Sequence, residues 1–393
     1  PEGFFNTGSN VNNSLTFSTG TQKHQTYFSA ATTNARNILP NSGYNRYNFT
    51  FRDVTKFLKD KLTVDLSASY ILQDNKNMIA AGKYFNPLPA LYLFPRGDDF
   101  DNVRLYQRWD ESRNLYTQAW DYGSGDMSFQ NPYWIMNKMI NQTKKRRYML
   151  SANLKYDVTD WLDVTGRVKV DNADMDITEK RYAGTDTNFA GEKGMYSIIK
   201  RNDRQIYADA IANIDLTFAG DYHLSANVGA SLKDVRMDFM GWGGDLRKIP
   251  NFFSITNIST TNYKEREDGS HIQSQSIFAN VELAWKSMLY LTVTGRNDWE
   301  SALAFSKYKS FFYPSVGLSA VVSEMVDMPE WFSFLKVRGS YSAVGSSYAA
   351  YLTKPYYDYK GQTHEWDSLH RFPNENLKPE KTKSWEVGLN ARF

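Results

Sequence analysis

From Leu62 to Leu72 every even-numbered position is apolar: Leu62, Val64, Leu66, Ala68, Tyr70 and Leu72, with Thr63, Asp65, Ser67 and Ser69 between them. Side chains on a strand point to opposite faces in turn, so this segment is a ribbon with one greasy face and one wet face. Its 11 residues match the ~9 to 11 that a tilted strand needs to cross a bilayer. The pattern returns at Tyr148–Val158, Leu162–Val170, Ile206–Phe218, Tyr222–Leu232, Ile277–Trp285, Leu289–Gly295, Phe312–Val322, Leu335–Ala343 and Trp385–Phe393. Weaker alternation covers 12–20, 24–33 and 44–52, the last with Tyr47, Phe49 and Phe51. The period predicts about thirteen strands and an all-β fold. Helical period is poor, and only 100–120 reads as a short helix.

The connections are of two kinds. Short ones fall near 21, 53–61, 157–161, 219–221, 286–288 and 323–334; long ones fall at 73–146, 173–203, 233–271, 299–311 and 344–383. They alternate strictly. An antiparallel up-and-down meander then has its tight turns at one end and its long loops at the other, as in a transmembrane β-barrel with long extracellular loops. Tyr148 and Tyr156 bracket one apolar face, and Trp161, Phe218, Tyr222 and Trp285 lie at short-turn ends, where a half-wet ring suits the bilayer interface. The rival is a soluble sandwich, whose dry core would exclude the other face of these strands. That face carries Asp209, Asn213 and Asp215 on one strand, Arg296 and Asp298 on another, and Lys336 and Arg338 on a third, which suits a wet lumen.

Composition bounds the rest. Mean hydropathy is −0.57, and no run approaches the ~20 apolar residues of a spanning helix, which excludes a helical membrane protein and not a barrel. Aromatics at 15% are too many for a disordered chain. A net charge of +3 gives no electrostatic reason for a nucleic-acid partner. There is no cysteine, hence no disulfide, thiolate metal site or thiol nucleophile. The chain opens on Pro1-Glu2-Gly3 without a signal peptide, so it reads as processed or as a piece of something longer.

Several strings together resemble the SusC/RagA family of TonB-linked outer-membrane transporters: Arg296-Asn297-Asp298-Trp299 with Ala302-Leu303-Ala304-Phe305, Phe312-Tyr313-Pro314-Ser315-Val316-Gly317, Leu335-Lys336-Val337-Arg338-Gly339, Asn376-Leu377-Lys378-Pro379-Glu380, Phe94-Pro95-Arg96-Gly97 and Asn131-Pro132-Tyr133-Trp134. The resemblance implies a 22-stranded barrel holding an N-terminal plug. It also implies a TonB-binding segment, a SusD-like surface lipoprotein over the outer mouth, and import of oligosaccharides or peptides in the bacterial outer membrane. Residues 1–393 show neither plug nor TonB-binding segment. They therefore read as the first part of such a barrel domain, lacking roughly nine strands.

Enzymatic signals are poor, and none is expected to be catalytic or to bind a cofactor or metal. The histidines, His24, His223, His271, His364 and His370, do not form an HExxH pattern, and there is no G-x-S-x-G elbow or phosphate loop. His364-Glu365 reads as a solvated loop; Gly123-Ser124-Gly125 and Gly241-Trp242-Gly243-Gly244 read as loop turns. Asp98, Asp99, Asp101 and Asn102, or Asp171, Asp174 and Asp176, offer oxygens to calcium, but Ala173 breaks the EF-hand pattern and solvated loop acids explain both groups better. The expected ligand or partner contacts are Trp109, Trp120, Trp134, Trp242 and Trp366, whose indoles offer flat platforms to a sugar ring or peptide side chain. Packing of the loops is the other role open to them. Beside active import stand two rivals, a passive porin-like channel and a soluble carbohydrate-binding or hydrolytic β-protein.

Overall fold

The structure, a computed structural model, describes residues 2–122, 129–354, 357–360, 365–369 and 374–393, the side chains of 262, 357–360 and 365–369 apart. Seventeen strands follow in chain order: β1 Ser9–Gly20, β2 His24–Arg36, β3 Gly43–Phe57, β4 Leu62–Lys76, β5 Gln107–Asp110, β6 Leu115–Gln118, β7 Met139–Thr159, β8 Leu162–Tyr182, β9 Gly194–Phe218, β10 Tyr222–Leu246, β11 Ile258–Trp285, β12 Leu289–Glu300, β13 Ser310–Val321, β14 Phe334–Ser346, β15 Tyr357–Lys360, β16 Glu365–Leu369 and β17 Glu380–Arg392. Thirteen of them form one antiparallel sheet in the order β1-β2-β3-β4-β7-β8-β9-β10-β11-β12-β13-β14-β17. This is the expected meander. Two hairpins, β5–β6 and β15–β16, lie outside it. Edge strands β1 and β17 do not pair with each other.

The tight turns follow from local backbone chemistry. Ala219 and Gly220, and Lys286 and Ser287, take positive φ in succession. Two left-handed residues in a row turn a hairpin with the twist its strands already have.

The register shows which face is which. Tyr156, Val164, Ala212, Val228 and Ala279 follow one another across β7 to β11, and Leu216, Leu224, Leu283, Leu291 and Leu318 do so across β9 to β13. This face carries large apolar side chains in the open: Leu66 is 46% exposed, Leu154 50%, Val228 48% and Leu291 40%. The opposite face is polar, yet it holds the more enclosed residues, Asp209, Ser276 and Asp298. A soluble sandwich has the reverse order. A cavity of about 1030 Å³ spans β1 to β8 on the polar side, lined by Arg52, Asp65, Ser67, Ser151, Asn153 and Arg167, so that side is concave. On the apolar side an 870 Å³ furrow is floored by Ala152, Gly166, Ala210 and Ala230, a shape lipid chains would fill.

Three expectations need correction. The loops placed at 173–203 and 233–271 shrink to 183–193 and 247–257, because β8 to β11 run on for 21, 25, 25 and 28 residues. Above the apolar band the outer face of these strands turns polar, with Asp174 and Asp176 on β8 and Asp234, Arg236 and Asp238 on β10, while apolar residues such as Met175, Ile177, Val235, Met237 and Phe239 move to the other face; the alternation changes phase while the backbone ladder continues. The region 100–120 is not one helix. A four-residue helix, Asp101–Arg104, is followed by the β5–β6 hairpin. Gly241, Gly243 and Gly244 are not a turn either. They are paired on both sides within β10, where a Cβ at Gly241 would lie 2.9 Å from Ile199 and one at Gly243 2.8 Å from Ser197.

The two faces predict opposite responses to one charge. In the complete barrel, Leu154→Arg should lower the stability of the lipid-inserted protein by roughly 2–4 kcal/mol, and the neighbouring Asn153→Arg by less than about 1 kcal/mol. Urea titration of the protein folded into vesicles measures both.

Candidate functional site

The inner face is built from ion pairs set by register. Arg52 forks onto Asp65 at 2.9 and 2.7 Å. Arg167 does the same to Asp209 at 3.0 and 2.6 Å, and the Asp209 side chain is fully enclosed. Arg147 holds Asp171 with its Nε at 2.7 Å. Further round, Arg296 Nε donates to Asp298 at 2.7 Å, its Nη2 donates to Ser276 Oγ at 2.8 Å, and the Tyr313 hydroxyl donates to the same Asp298. Bidentate guanidinium–carboxylate pairs are directional and stiff. They give the wall a fixed polar surface without a dry core. The strings around Arg296 and Phe312 thus meet at Asp298, on facing strands.

Above the barrel, the described residues of 77–138 fold into a small body of their own. Helices α1 Pro87–Tyr92, α2 Asp101–Arg104 and α3 Pro132–Lys138 pack with Phe4 and Leu39 around Trp134, Leu91, Ile135, Met136 and Met139. The Asn131-Pro132 pair starts α3. Asn131 Oδ1 accepts from the backbone N–H of Tyr133 and Trp134 at 2.9 and 3.4 Å, while its Nδ2 donates to the carbonyls of Val103 and Ala119. Asparagine at the cap and proline at the first helical position are a matched start signal. Lys138, at the end of α3, sits 4.8 Å over the Tyr182 ring, and burial pushes its pKa below the ordinary lysine value. Asn77 ties this body to the barrel: its side chain donates to the carbonyls of Asn41 and Met136 and accepts from Asn141 N–H. Asn257 does the same for the β10–β11 connection, bonding Lys248, Ile249 and Phe252. The sequence offers no local signal for Asn77 or Asn257, while the Asn131-Pro132 pair is itself a helix-start signal.

The five tryptophans do not converge. Trp134 is 1% exposed and donates its indole N–H to Thr185 Oγ1 at 2.9 Å, so its ring is core and offers no platform. Trp120 is half-buried beside Tyr122 at 5.0 Å. Trp109 is 50% exposed on the β5–β6 hairpin, edge-to-face with Tyr116 at 5.1 Å. Trp242 stands exposed on β10, opposite Ile198 and Glu265. Trp366 lies on β16, and its side chain is outside the described residues, as are His364, His370 and Gly123-Ser124-Gly125. Of the acidic groups, Asp171 faces the lumen on Arg147 while Asp174 and Asp176 point to the other face of β8. Asp99 Oδ1 accepts from the backbone of Asp101. Among the described residues no group of three or more His, Asp or Glu gathers at one point.

Comparison with known proteins adds the following. The family described as TonB dependent receptor-like, beta-barrel, matches residues 91–393. TonB-dependent receptor P26 of Formosa agariphila is 24% identical over 390 residues, which is 95% of this chain and 37% of that protein. The RagAB peptide importer in its open-open state superposes with a TM-score of 0.77 at 16% identity, over 98% of this chain and 42% of that one. The unliganded ferric citrate transporter FecA gives a TM-score of 0.57 at 9% identity, over 97% of this chain and 46% of that one. The chain therefore spans less than half the length of these relatives.

Two substitutions separate the wall from the loop body. Trp134→Ala removes a fully buried aromatic and should cost about 3–5 kcal/mol, read as faster hydrogen exchange in 77–138 with the barrel strands unchanged. Arg167→Ala leaves the enclosed Asp209 carboxylate with the Tyr207 hydroxyl alone and should cost about 1–3 kcal/mol, read as faster exchange in β8 and β9 with the loop body unchanged.

Proposed function

The chain belongs to the TonB dependent receptor-like β-barrel family of outer-membrane proteins, and on that premise we propose that residues 1–393 are part of the wall and outer loops of an active nutrient importer. One observation carries the reading. A sheet that exposes leucine and valine on its convex face and locks arginine and aspartate on its concave face fits a boundary between lipid and a wet passage. The two unpaired edges, β1 and β17, support membership of a larger closed barrel, since lipid cannot satisfy open backbone groups.

In this proposal the solute is an oligosaccharide or a peptide. RagAB is a peptide importer, which supports peptides; the exposed Trp109–Tyr116 pair supports a sugar ring. The outer loop body, with Tyr92, Leu93, Leu105 and Trp109 exposed on it, is the surface proposed to meet a SusD-like lipoprotein. TonB is proposed to act through a part of the whole protein outside these residues, where a plug would also belong. No chemical step on the solute is assigned.

Active import predicts dependence on the inner-membrane proton gradient. Cells carrying the full-length protein should take up its nutrient at high affinity, and a protonophore or loss of TonB should reduce uptake to the background of cells without it. Uptake that persists at full rate without the gradient would favour a passive channel.

A further inference from the structure

From β3 to β10 the concave face carries charge unevenly. On β4, β8 and β9 every carboxylate of this face at or above the mid-membrane level is held by an arginine: Asp65 by Arg52, Asp171 by Arg147, Glu179 by Arg181, Asp203 by Arg201 and Asp209 by Arg167. Among the described residues of β3 to β10, four cations of this face at or above the same level hold no carboxylate within ion-pair distance: Arg46, Lys145, Lys169 and Lys233; on β11, farther round, Lys264, Arg266 and the carboxylates Asp268 and Glu282 of this face also stand outside ion-pair distance. The four cations of β3 to β10 form two tiers. Lys169 and Lys233 flank Tyr207 on adjacent strands, about 10 Å apart across two strand spacings. Arg46 and Lys145 flank Gln73 in the same way. Lys145 pairs with Met175, six residues along β8 from Lys169, which sets the tiers about 20 Å apart along the strands. Lys169, Lys233 and Arg46 are exposed to the concavity. Beyond Lys233 stands Glu300, two strands away, with Ser274 donating to it at 2.7 Å.

Cations that face a water-filled path beside low-dielectric walls concentrate anions and select among solutes by charge. We propose that this wall guides an anionic solute, an oligomer that carries carboxylates along its length, past Arg46 and Lys145 and then past Lys169 and Lys233. The inference rests on the import reading and narrows its substrate. Carboxylates occur on both uronate sugars and acidic peptides, and the wall answers to the group they share.

The test uses the purified full-length protein in detergent and two matched pairs of probes: tetragalacturonate with its methyl ester, and tetraglutamate with tetraglutamine. In at least one pair the charged member should bind about tenfold more tightly than its neutral twin, with a preference that falls as salt rises. The K169Q/K233Q variant should shrink that preference about fivefold, and K169R/K233R should keep it. The pair that responds identifies sugar or peptide. Charged probes that bind no better than their twins in both pairs, absent binding included, overturn the inference. So does a glutamine variant with the preference intact, including one whose melting temperature falls because the lysines held an acidic part of the same protein. Failure of the import reading is seen elsewhere, as cells that show no gradient-dependent uptake while the purified protein keeps its preference.

Discussion

Backbone amides and carbonyls cannot be left unbonded in hydrocarbon, and every other feature of this structure follows from how the chain meets that demand. Each strand takes its hydrogen bonds from its neighbours, so the sheet must be continuous and its connections must lie outside the lipid. Once the backbone is spent laterally, side chains are free to differ completely between the two faces. Leucine, valine and aromatic rings cover one; serine, asparagine and arginine–aspartate pairs cover the other. The polar side is not a solvated afterthought. Its residues are the more enclosed ones, and the guanidinium forks replace the role that hydrophobic packing has in a soluble core.

How much of this is legible in the amino-acid order depends on whether the environment differs between faces. In the bilayer it does, and Leu62–Leu72 or Ile206–Phe218 can be read directly as strands facing lipid. Above the bilayer the outer face is wet too, and apolar residues such as Val235, Met237 and Phe239 sit on the inner face instead. Strand β9 from Gly194 to Gln205 therefore keeps its ladder but loses its pattern, and a reader of periodicity sees a loop. The same reason hides Gly241 and Gly243, which look like turn residues and are in fact places where β9 comes close. Pairings such as Arg167 with Asp209 depend on a register between residues 42 apart, which no local pattern encodes. Trp134 shows the converse: its type suggested a platform, while the neighbouring Asn131-Pro132 cap and the surrounding Met136 and Leu91 make it the centre of a small core.

Wall and loop body are distinct physical objects. The wall is stiff, long-range in its pairing and uniform around the sheet, which suits a boundary. The loop body has its own apolar centre and is tied to the strands through a few buried asparagines such as Asn77. Its exposed rings lie on the hairpin β5–β6 and around α1. Recognition of a solute or a lid belongs to the second object, and the electrostatic character of the passage to the first.

The central claim is that even and odd positions of a strand such as β4 meet different solvents. Residues 1–393 contain no cysteine, so once any cysteine elsewhere in the full-length protein is replaced this is directly measurable: single cysteines at Val64, Leu66 and Ala68, and at Asp65, Ser67 and Ser69, each carry a small fluorophore in the protein reconstituted into vesicles with brominated lipid. Strong quenching at the three even positions and little at the three odd ones is the result this account requires. Equal quenching along the strand, or quenching at the odd positions, would contradict it.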